Sequence, residues 1–163
     1  METDTGPLLS SLNNQRDHVL GILEGLGENE LRRPVLPSGW TCLGMVQHLT
    51  ISDERFWFRG IVAGEPVELT TSEDSYTAAW HVAANVPAQA VFDAYRQEIG
   101  LANAVITSTP LDQAPAMWPD ELWPNWKLQD LRAVLLHVIT ETACHAGHLD
   151  AVRELIDGRT WLV

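Results

Sequence analysis

From about Leu128 to Ile156, apolar residues recur at helical spacing with no proline to break them. "DG" at Asp157–Gly158 then supplies a left-handed stop. So long a helix in a chain of 163 residues presents an apolar stripe that other long helices have to cover. Three more segments with helical periodicity are present. The first runs from about Gly6 to Leu26, with Gly27 as its stop; the second from about Thr41 to Val62, with Thr41 as N-cap and Gly64 as its end; the third from about Pro87 to Thr107, with Pro87 in its first turn. Nothing between them alternates as a strand does. The expectation is an all-α four-helix bundle, one domain over residues 1–163, with no internal repeat and no linker.

The connections predict the order. Residues 28–40 are a short link, which suits antiparallel neighbours; residues 64–86 form a long crossover that makes the second and third helices parallel, with room for a short helix around Tyr76–Ala84. Up-down-down-up follows. The third link carries "STPLDQAPAMWPDELWPNW", rich in proline and tryptophan. In this topology Trp40, Trp80, His81 and Trp161 rim one end, whereas Trp118, Trp123 and Trp126 belong at the opposite end as packing or a dimer surface.

Composition removes several functions. The net charge is −12, with no basic patch, which repels nucleic acid and anionic membranes. No apolar run approaches the roughly 20 residues that span a bilayer, and the start of the chain lacks a secretory pattern. Two cysteines, Cys42 and Cys144, are too few for a disulfide scaffold, so a reducing cytoplasm is the expected compartment.

The fourth helix carries "ETACHAGH", residues 141–148. With His137 at zero and about 100° per residue, Glu141 falls at about 40°, His145 at about 80° and His148 at about 20°. Val134, Val138, Leu149, Val152, Leu155 and Ile156 share that half of the helix, so the ionisable stripe is expected to face the core, where each member needs a partner. Glu141 and His145, at i and i+4, reach the same point. His48, in "GMVQHLT", supplies a third group from the second helix: it lies about 10 Å from the start of its helix, and His145 about 17 Å from the end of its own. His48, Glu141 and His145 together make a two-histidine, one-carboxylate donor set with an open position, suited to zinc and also to iron or nickel. The same spacing fits a plain histidine–glutamate hydrogen bond within one helix. His137 reads first as a core histidine satisfied by a carbonyl or hydroxyl, with metal ligation as its alternative. His148 has three roles open to it: extra ligand, partner of a ligand, or proton shuttle. Arg55 and Arg59 fall on roughly the His48 face, where they bind an acidic cofactor or substrate or are simply solvated surface arginines.

"LPSGWTCLGMVQHLTISDERFWFRG" followed by "LLHVITETACHAGHLDAVRELIDGRT" resembles the DinB-like superfamily, and within it the branch related to mycothiol-dependent maleylpyruvate isomerase. The likeness runs from the first helix to Gly158. It implies a four-helix bundle with a divalent-metal site, with His48, Glu141 and His145 as ligands; Glu141 stands where many DinB-like proteins have histidine. It also implies a low-molecular-weight thiol such as mycothiol, bacillithiol or glutathione, and a homodimer. The isomerase carries a further C-terminal domain with no counterpart before Val163, so maleylpyruvate isomerisation itself is not carried over. The expected function is a metal-dependent, mycothiol-type S-transferase or isomerase acting on a small electrophile. The alternatives are a metal-dependent hydrolase with His148 as base and a non-enzymatic metal- or ligand-binding bundle.

Overall fold

The computed structural model describes residues 5–68 and 72–161; residues 69–71 of the long crossover lie outside that description. Among the described residues the chain is all-helical: α1 is Thr5–Leu23, α2 Glu28–Arg32, α3 Cys42–His48, α4 Glu73–Ala79, α5 Ala88–Ser108 and α6 Leu131–Asp157. No helix is long and apolar enough to cross a membrane among these residues.

Several local signals act as their chemistry predicts. Thr41 caps α3 by accepting a hydrogen bond from the Gly44 amide, and Gly158 ends α6 in the left-handed region at φ 79°. Asp130 caps the other end of α6 by accepting from the Ala133 amide. Four local features differ. The first helix turns off at Gly25, φ 85°, rather than at Gly27, and "ENELR" forms the unpredicted α2. Pro87 is the N-cap of α5 rather than part of its first turn. The crossover helix α4 lies earlier than the sequence indicates.

The second long segment departs most. α3 passes without a break into a π-helix over Leu49–Val62. Its i→i+5 ladder runs to the end, where the Ala63 amide still donates to the Phe58 carbonyl at 3.0 Å. Each turn therefore takes up more residues than in an α-helix, and the faces drift accordingly.

Packing is organised in two apolar clusters. One joins Val19 and Ile22 of α1, Leu43 of α3, Val91 of α5, and Leu149 and Val152 of α6. The other joins Leu12 of α1, Phe58 of the π-helix, Ile106 of α5 and Val134 of α6. The end where α1 and α6 finish is thus the end where α3 and α5 begin.

The tryptophan-rich link is pinned at both ends. The amides of Ala116 and Met117 donate to the Val62 and Ile61 carbonyls left free at the end of the π-helix. The first amides of α6, Leu131 and Arg132, donate to the Gln113 and Leu111 carbonyls. These bonds fold the link back over the π-helix and α6.

Candidate functional site

A cavity of about 500 Å³ opens between the π-helix and α6. His48, Asp53 and Trp57 line one wall, and His137, Glu141 and His145 line the other. The second set is the i, i+4, i+8 row of an α-helix. The first set exists because of the π ladder: at α-helical spacing, Ser52 and Arg55 would lie under His48, whereas the i→i+5 winding brings Asp53 there.

His48 is held from behind. The Trp80 ring stacks on it at 3.9 Å between centroids, 14° from parallel. Trp80 reaches that place because Gly44 lets the end of α4 press against α3: a Cβ at Gly44 would stand 2.4 Å from the Trp80 carbonyl oxygen. Gln47 secures the contact by donating its side-chain amide to the carbonyls of Ala78 and His81 at 3.1 and 2.9 Å. His145 meets His48 edge-on with ring centroids 5.1 Å apart.

The Nδ1 atoms of both rings are buried with no hydrogen-bond partner among the described residues. Burial, followed by the neighbouring His145, pushes the His48 imidazole down to about 3. Burial also lowers His145, opposed by Glu141, and lowers His137. All three rings thus favour the neutral form that offers a lone pair. Among the described residues, no three His, Cys, Asp or Glu are drawn together as a ready-made ion-binding group.

Asp53 is the group that helical reasoning misses. It is 4% exposed, and its Oδ2 is buried without a partner among the described residues. Burial, then Glu54 and Glu141, raise its carboxyl well above the usual 3.8. The folded protein therefore keeps a proton that the unfolded chain releases, and stability falls as pH rises from about 3.8 upward. In metal-free protein, Asp53→Asn removes that loss: the variant gains on the wild type as pH rises. Urea unfolding at pH 4 and pH 8 measures it; a gap of the same size at both pH values would refute the assignment.

The remaining sequence candidates are distributed around this cavity. Arg55 and Arg59 do not line it; both turn to α5 and share Glu98, with bonds of 3.0–3.1 Å, and Arg59 also holds Glu65 at 2.6 Å. His148 is exposed, with its ring 5.8 Å from that of His145 and 6.4 Å from that of Trp40. Trp40, Trp80 and His81 line an adjoining pocket of about 640 Å³. Trp161 stacks on His18 at 5.1 Å and sits over Gly21, where a Cβ would meet its ring at 2.1 Å; it lines neither pocket.

The tryptophan-rich link is a correction. Trp123 and Trp126 line the same cavity as His48 and His145 rather than sitting at a remote end. The stripe on α6 is a second correction: the buried face centres on Val138, Thr142, Ala146 and Leu149, about 135° round from His137, so the ionisable row occupies its margin and opens into the cavity. Neither cysteine lines the cavity, and burial pushes the Cys42 thiol up to about 11.

Residues 7–158 match the model of a family described as mycothiol-S-transferase. No curated protein and no solved structure gives a significant match. With nearly the whole chain matched, the protein belongs to the mycothiol-S-transferase family.

Proposed function

We propose that this member of the mycothiol-S-transferase family is a divalent-metal-dependent S-transferase, joining a mycothiol-type thiol to a small electrophile in the cavity between the π-helix and α6. The observation that carries the reading is a pair of imidazoles, His48 and His145, each with a buried Nδ1 that no group among the described residues satisfies. Buried nitrogens are left unpartnered at a cost, and a metal ion relieves it. Glu141, in the same cavity, adds the carboxylate that brings the donor set to two nitrogens and an oxygen. Such a set suits zinc, with iron or nickel as further options.

A divalent metal held there supplies a positive charge that lowers the pKa of a bound thiol. The protein's part is positional. Trp80 fixes the plane of His48, and burial keeps both imidazoles deprotonated. His148, exposed next to His145, takes the proton released from the thiol out to solvent. The thiol sulfur then forms its bond to the electrophile as the leaving group departs with the bonding pair.

The same reading takes the four long segments as an up-down-down-up four-helix bundle forming one domain. The two apolar clusters, with their shared helix ends, support it.

Calorimetry tests the proposal directly. Mycothiol titrated into zinc-loaded protein is expected to bind at least about tenfold more tightly than into chelator-stripped protein, a difference of about 1.4 kcal/mol or more. Equal binding to the two forms, or S-conjugation that survives complete chelation, would overturn it.

A further inference from the structure

The cavity has a second half that metal ligation does not use. Trp57 and Trp123 stack at 5.6 Å, 12° from parallel. Trp126 stands edge-on to both, at 6.0 and 5.4 Å. The His137 ring meets Trp57 at 4.7 Å, 73° from its plane. Trp126 stays 42% exposed, although the link that carries it is pinned at both ends.

We propose that this tryptophan wall is the seat of the electrophile, and that it takes a planar aromatic molecule carrying no negative charge. The inference rests on the transferase reading for what then happens to the molecule, not for its binding. Trp126, 42% exposed and edge-on to the stacked Trp57–Trp123 pair, is the ring placed to receive a flat molecule by offset stacking or edge contact. The cavity's volume of about 500 Å³ suits a small ligand.

Charge decides the rest. Among the described residues, the acidic side chains that line the cavity are Glu141 and Asp53, the latter a carboxyl that burial keeps protonated, and no lysine or arginine lines it. Arg55 and Arg59 are committed to Glu98, and Lys127 sits 6.0 Å from the centre of Trp118 without lining the cavity. A carboxylate placed against the tryptophans would lose its water with no cationic side chain to replace it. The His137–His145 row is about 12 Å long, so the aromatic end is about two helical turns from the His48–His145 pair.

Three matched probes test this in metal-free protein without added thiol: 2-naphthalenemethanol, 2-naphthoate and the fully saturated decahydronaphthalene-2-methanol. The aromatic alcohol is expected to bind at least about tenfold more tightly than either of the others, as judged by calorimetry and tryptophan quenching. Trp126→Ala weakens it by about tenfold, and Trp126→Phe largely restores it, because a ring, not bulk alone, is needed. Leu101→Ala, an exposed truncation on α5, leaves binding unchanged. Affinities within about threefold for all three probes, or a Trp126→Ala protein that binds like the wild type, would overturn the inference. Because binding is read without metal or thiol, an inactive protein that keeps this preference sinks only the transferase reading. An active protein that lacks the preference sinks only the aromatic seat.

Discussion

Arg16→Met is expected to destabilise the protein by about 3–5 kcal/mol, the cost of leaving a buried charge without its partner. Arg16 is 1% exposed and grips Glu54 through two bonds, Nε to Oε1 at 2.7 Å and Nη2 to Oε2 at 2.5 Å. Its remaining nitrogen donates to Asn13 and Asn103, both at 2.7 Å, so one side chain ties α1, the π-helix and α5 together. Burial raises the Glu54 carboxyl, and Arg16 is the influence that opposes the rise. Without Arg16, Glu54 is stranded next to Asp53, another carboxyl already raised by burial. The compensated variant Arg16→Met/Glu54→Leu is expected to recover most of the loss, since paired hydrophobic replacements of buried ion pairs are often neutral or better. Urea unfolding of both variants settles the matter. A loss under about 1 kcal/mol in the single variant would show the pair to be inert, and a double variant no better than the single would show that a stranded Glu54 is not the source of the loss. The double variant also has a structural readout: with its anchor to α1 gone, the π-helix is free to rewind, which would carry Asp53 and Trp57 out of the cavity.

That winding is the point at which the sequence stops being legible. Helix positions were readable because apolar spacing, the Thr41 cap and the Gly158 stop are local signals, and local sterics decide them. The 1.5 Å rise allowed His48, Glu141 and His145 to be named together across two helices, and the three line one cavity. A π-helix leaves no such trace. "LTISDERFWFRGIV" reads as helix at either winding, and only the tertiary partners Arg16 and Glu98 show which residues face inward. Assuming α winding put Arg55 and Arg59 beneath His48 and hid Asp53. The expectation of a remote end for the tryptophans of the third link fails for a related reason. A link's direction depends on the amides and carbonyls that are free at the helix ends, here Val62, Ile61, Leu131 and Arg132. Composition does not reveal that pairing. Equal weight on all six apolar residues displaces the α6 stripe, because Leu155 is exposed and the buried face centres elsewhere.

Removing either histidine donor is expected to have the largest effect on function. His48→Phe keeps a flat ring against Trp80 and deletes both nitrogens; His145→Ala deletes the other imidazole. Altering groups that merely orient a metal ligand already costs about 10–100-fold in affinity or activity, so losing a ligand itself is expected to cost at least about 100-fold in S-conjugation. Bound zinc after dialysis should fall from about one per chain to less than about a tenth. Stability provides the control that separates a metal site from a packing role. In metal-free wild type, the His48 and His145 Nδ1 atoms are buried without partners, a cost of about 1–3 kcal/mol for each such group. His48→Phe removes that cost at its own position and keeps the stacking surface, so the metal-free variant is expected to be at least as stable as the metal-free wild type. With zinc present the order reverses, because only the wild type gains from binding. Thermal unfolding with and without zinc reads both comparisons at once. A His48→Phe protein that retains stoichiometric zinc would refute ligation by His48. One that loses stability equally with and without zinc would show that His48 holds the fold rather than the ion.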